Sequence, residues 1–104
     1  AADEAAWRLE AARRTALDAE EDVAFAERAL SLARLALLDA IDAWRTAERA
    51  QPADAERADA ALARVAVAFE RERDAFYRSW NRYLLEAERY WSEAGVVGGV
   101  LAPP

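Results

Sequence analysis

Between Asp3 and Ala50 the chain contains neither Gly nor Pro, and between Asp54 and Ala94 it again contains neither. Uninterrupted stretches of this length, filled with Ala, Leu, Arg and Glu, are those of strong helix formers; 29 of the 104 residues are Ala. The one interruption is Ala50-Gln51-Pro52-Ala53-Asp54. Proline disfavours helical geometry in the residue before it, so a first helix is expected over 3–50 and a turn over 51–53. A second helix is expected over 54–94, with Asp54 as its N-cap and Glu56 adding negative charge to the first turn. At 1.5 Å per residue each rod is roughly 60–70 Å long, too long for a compact globule of this size. An all-α fold built as a long antiparallel two-helix hairpin, residues 1–94, is the simplest solution, followed by an apolar tail at 95–104.

The heptad pattern sharpens this expectation. Positions 5, 12, 19, 26, 33, 40 and 47 are all Ala. Four residues after these alanines come Leu9, Ala16, Val23, Leu30, Leu37 and Trp44, which makes an a/d seam of coiled-coil type. The second helix carries its large side chains on a seven-spaced stripe: Ala55, Leu62, Phe69, Phe76, Tyr83 and Tyr90. A hairpin folded near residue 51 sets Ala19 against Tyr83, Ala26 against Phe76, Ala33 against Phe69 and Ala40 against Leu62. Small faces large, which lets the helices approach closely while rings fill the space. The same register brings Asp18, Glu20, Glu21 and Asp22 near Arg78, Arg82 and Arg89, and Arg13 and Arg14 near Glu88 and Glu93. Within helices, Glu4–Arg8, Glu10–Arg14 and Asp74–Arg78 have the favourable i,i+4 order.

One seam does not consume the apolar residues. Leu17, Phe25, Leu32, Leu35, Leu38 and Ile41 lie beside it on the first helix, and Val67, Tyr77, Leu84 and Trp91 on the second. An apolar face outside the seam calls for another partner. Self-association, with a dimer completing a four-helix bundle, is the expectation; docking onto a different helical protein is the alternative. Phe25, Leu32, Leu35, Tyr77, Leu84 and Trp91 are the residues expected at that protein interface.

Composition restricts the chemistry. All 14 basic residues are Arg, and His, Cys, Lys and Met are missing. That removes disulfides and thiol chemistry, the usual general base and commonest metal ligand, and Schiff-base and P-loop lysines. Glu20, Glu21 and Asp22 are successive on a helix and point in different directions, so they form no common metal cage. Ser31, Ser79 and Ser92 have no base to activate them. No catalytic residue, cofactor or metal is expected, and the chain reads as a non-enzymatic structural or protein-interaction module.

Other partners are disfavoured. Phe76-Tyr77-Arg78-Ser79-Trp80-Asn81-Arg82-Tyr83 mixes rings with Arg as a base-stacking surface does. Between Glu70 and Trp91, however, five Arg meet five acids, and the net charge is −6, so nucleic acid is not an expected partner. No apolar run is long enough to span a membrane. The acidic start Ala1-Ala2-Asp3-Glu4 is not that of an intact signal peptide, which leaves both a cytoplasmic and a secreted location open. The uncharged tail after Gly95, itself an expected helix stop, has two expected placements. It folds back over Trp7 and Trp91, or it inserts as an extended peptide into a partner's groove or sheet edge.

In size, acidity and helix-turn-helix outline the chain resembles the WXG100 family of small secreted helical hairpins. The resemblance implies a secreted effector or effector partner working as a heterodimer. The family's Trp-x-Gly motif belongs at the turn; here Trp44-Arg45-Thr46 has no Gly and lies about one helical turn earlier. Tyr83 and Tyr90 are each followed four residues later by Ala, where the family's C-terminal signal has an acid. The segment Ala33-Arg34-Leu35-Ala36-Leu37-Leu38-Asp39-Ala40 is similar to helical stretches of TolC-type efflux proteins, over a few turns only.

Overall fold

The computed structural model describes residues 2–98, with side chains described as far as Gly95. Two helices of 47 residues each, α1 (Ala2–Glu48) and α2 (Pro52–Gly98), form a helical hairpin. Asp3 and Glu4 sit in the first turn of α1 and Arg45 in its last, each complementing the helix dipole. The last turn tightens where the Arg49 and Ala50 N–H groups donate to the carbonyls of Thr46 and Ala47, three residues back, at 3.2 and 3.0 Å.

The ends of α2 differ from those expected. Asp54 is not the N-cap: its own N–H and that of Ala55 both donate to the Gln51 carbonyl, at 3.0 and 3.1 Å. Gln51 therefore holds the cap position and Pro52 the first helical one, where a missing N–H costs nothing and a fixed φ suits the helix. Asp54 keeps its value as a first-turn acid. At the other end α2 continues through Gly95 to Gly98. A Cβ at Gly95 would meet nothing within 4 Å, so no close approach demands glycine at that position. The expected tail is thus helical in its first part, and residues 99–104 lie outside the described residues.

The chain divides into two compact units. The termini unit takes α1 as far as Phe25 and α2 from Tyr77 onward. Its seam contains Ala12, Ala16, Ala19 and Val23 from α1 and Ala87, Tyr90 and Ala94 from α2, all buried. The Tyr90 ring packs on Ala12 and Ala16, with Leu9 beside it. This is the small-against-large packing expected from the heptads, and Ala5, Leu9 and Tyr83 are half-buried along the same line. At the side of the seam Arg82 donates to the Asp22 carboxylate at 2.6 Å, one of the charge pairs the register brings together. Arg13 and Arg14 bind Glu10 on their own helix, at 3.7 and 3.5 Å, and Arg8 binds Glu4 at 3.7 Å.

The turn unit runs from Ala26 to Phe76. Its α1 seam residues Leu30, Ala33, Leu37, Ala40, Trp44 and Ala47 are half-buried, and only Ala26 is buried. Opposite them Ala55, Leu62, Phe69 and Phe76 are also half-buried. The Trp44 indole N–H donates to the Asp59 carboxylate, which ties α1 to α2 in the hairpin register. Asp74 lies against Arg73 at 3.8 Å rather than pairing with Arg78.

Candidate interaction surface

A seven-residue repeat puts a and d side chains into the seam, so residues one or two positions from an a or d residue stand beside the seam rather than in it. Phe25, Tyr77, Leu84 and Trp91 in the termini unit, and Leu32 and Leu35 in the turn unit, all occupy such positions and are all exposed. Phe25 and Leu32 are the extreme cases, with 70% and 68% of their surface open.

Within the termini unit, α2 holds a continuous apolar stripe. Tyr77, Leu84 and Trp91 recur at intervals of seven, and Trp80 lies three residues after Tyr77 and four before Leu84. The Tyr77, Leu84 and Trp91 row is displaced by one residue from Phe76, Tyr83 and Tyr90. Ala87 and Ala94, which follow Trp80 at intervals of seven, are buried in the inner seam and do not belong to the exposed stripe. Trp80 stacks obliquely on Tyr83, ring centres 5.8 Å apart and planes inclined by 35°, so the outer stripe rests on an inner one. Leu85, 66% exposed, widens the face.

In the turn unit the exposed apolar groups are Leu32, Leu35 and Leu38 on α1 and Val67 on α2. Val67 lies in a shallow depression between Arg64 and Arg71, with Ala63. Two further shallow depressions mark the termini unit. One is lined by Trp7, Glu10, Ala11, Arg14 and Thr15, the other by Arg8, Ala11, Ala12, Thr15, Arg89 and Glu93. The Thr15 hydroxyl donates to the Ala11 carbonyl at 3.0 Å, so it is satisfied inside its own helix.

Trp7, Trp80 and Leu85 are exposed as well, beyond the six residues expected at the interface. Trp80 lies in the aromatic-rich segment Phe76–Tyr83, three residues on from Tyr77, and Leu85 lies just after it. α2 also has more than the one main seam row expected. A second row, Ala58, Val65, Glu72, Ser79, Glu86 and Glu93, is half-buried throughout and becomes polar toward the C-terminus. Glu86 is the tightest case: its Oε2 is buried without a hydrogen-bond partner, and the nearest cation, Arg89 Nη1, stands 3.5 Å away.

Among the described residues no three His, Cys, Asp or Glu side chains gather so as to hold a metal ion, and no helix is long and apolar enough to cross a membrane. No family model matches the chain, and no curated protein or solved structure matches it. Trp44, where the Trp-x-Gly motif of the WXG100 hairpins is not matched, sits within α1 and is engaged with Asp59.

Proposed function

We propose that the chain is a non-enzymatic structural or protein-interaction module that assembles by helix packing, first with further copies of itself into a four-helix bundle. One observation carries this reading: the large apolar side chains are outside and the small ones inside. Among the described residues six of the eight buried ones are Ala, whereas four tryptophan or tyrosine rings, a phenylalanine, five leucines and a valine are exposed. Single exposed apolar groups are ordinary, but a contiguous face of them is the mark of an interface. Tryptophan and tyrosine are also the residues on which binding energy concentrates. Chemistry adds support, since carboxylates are the only acid–base groups in supply near neutral pH.

The test is size-exclusion chromatography with light scattering over a broad concentration series, with helicity followed in parallel. A discrete dimer or tetramer is the expected result. A helical species that stays monomeric throughout overturns the reading.

A further inference from the structure

We infer that the self-association surface is the outer stripe of the C-terminal half of α2, and that two copies pair there antiparallel about a twofold axis near Leu84. The inference rests on the reading just given and specifies which face meets which.

Three observations point to this occupant and this face. The first is spacing. Trp80 and Leu84 are 42% and 48% exposed, and Leu85 is 66% exposed. Trp80 and Leu84 stand in a 3–4 pattern with Tyr77, and Trp91 follows Leu84 at seven, the spacing with which one helix receives another. The second is self-complementarity. Tyr77 and Trp91 are equidistant from Leu84, so reversing the helix about Leu84 sets a ring against a ring and a leucine against a leucine. A twofold interface requires that a patch fit its own copy in this way.

The third is charge. The chain carries −6, which opposes self-association over most of its surface. Glu70 to Trp91 holds five Arg and five acids, so the remaining nine Arg and fifteen acids account for the whole net charge. The neutral segment is the one that bears the stripe. Charge also selects the direction. Arg78 and Glu88 flank the stripe on opposite sides of Leu84, and neither is in an ion pair within the chain among the described residues. Antiparallel pairing brings Arg78 of one copy to Glu88 of the other, twice per dimer. Parallel pairing in register sets Arg78 on Arg78 and Glu88 on Glu88, and like charges across an interface are disfavoured.

The experiment is a set of variants of the full chain measured by sedimentation equilibrium, with circular dichroism to confirm helicity. Leu84→Arg, a change at an exposed site, is expected to leave helicity intact and yield a monomer, whereas Leu35→Arg leaves the dimer. Arg78→Glu and Glu88→Arg are each expected to weaken the dimer by roughly tenfold or more. Mixing these two variants restores wild-type affinity, because both reciprocal pairs are then opposite in sign. The chain has no Cys, so Leu84→Cys supplies a single thiol whose disulfide forms between copies on mild oxidation. The face is wrong if wild type is a dimer that Leu35→Arg dissociates and Leu84→Arg does not. The direction is wrong if neither single variant weakens the dimer and their mixture binds more tightly than wild type, which is the pattern that parallel pairing gives. A monomeric wild type would instead remove the self-association reading on which both depend.

Discussion

The two units use the same heptad grammar and reach different degrees of burial. Among the described residues seven of the eight buried ones belong to the termini unit, and the turn unit supplies only Ala26. The difference follows in part the residue set opposite each seam alanine by the register. Ala12 and Ala16 lie under Tyr90, and Ala19 and Ala26 face Tyr83 and Phe76; all four are buried. Ala40 faces Leu62 and Ala47 faces Ala55, and both remain half-open, as does Ala33 although the register sets it against the Phe69 ring. A methyl group cannot by itself exclude water, so an alanine's burial depends on how closely its neighbours across the seam cover it, and a ring in register is not enough alone.

Several changes would break or sharpen that contrast. Stability here is measured by urea unfolding at one fixed protein concentration, because any assembly shifts it. The largest effect is expected for Tyr90→Ala, which strips the ring from Ala12 and Ala16 and costs about 3 kcal/mol. Ala16→Leu comes next. Its site has no exposed surface, so three added heavy atoms have nowhere to go and about 2 kcal/mol is lost. The matching change in the turn unit, Ala40→Leu, enters a half-open site and should be neutral or stabilising; an equal loss at both would refute the account of unequal packing.

Glu86→Leu should raise stability by about 1 kcal/mol, since it replaces a carboxylate with a buried, unbonded oxygen by a side chain suited to a seam position. Gly95→Ala should add about 0.7 kcal/mol, because Gly95 is helical and space for a methyl group is open. The smallest effect belongs to Asp22→Asn. Its ion pair with Arg82 is short but half-exposed, so the loss is about 0.5 kcal/mol and shrinks as salt is added.

Much of the fold was legible residue by residue. The missing Gly and Pro marked the helices, Pro52 marked the turn, and the alanine row marked the face of α1 that enters the seam. Phe25, Leu32, Leu35, Tyr77, Leu84 and Trp91 were readable as lying beside the seam and are exposed, whereas Leu17 and Ile41, read in the same way, are half-buried. The cap of α2 was not legible. Asp54 has the better capping side chain, but Pro52 takes the first helical position, and the backbone carbonyl of Gln51 decided the start. Gly95 was read as a stop, yet glycine ends a helix only where the chain turns into the left-handed region, and here α2 runs on.

What the linear pattern determined was local and periodic: where helices form, which residues share a face, and which phase of α2 meets α1. These follow from chemistry repeated every few residues, and any single turn of helix carries the information. Tertiary structure decided what depends on a specific neighbour across the seam. It chose which alanines are dry, left Glu86 Oε2 without a hydrogen bond, joined Trp44 to Asp59, and laid Trp80 against Tyr83 beneath the outer stripe. Burial is a property of pairs, and the partner of a residue in α1 lies tens of residues away in α2, where no local period can specify how far its side chain reaches.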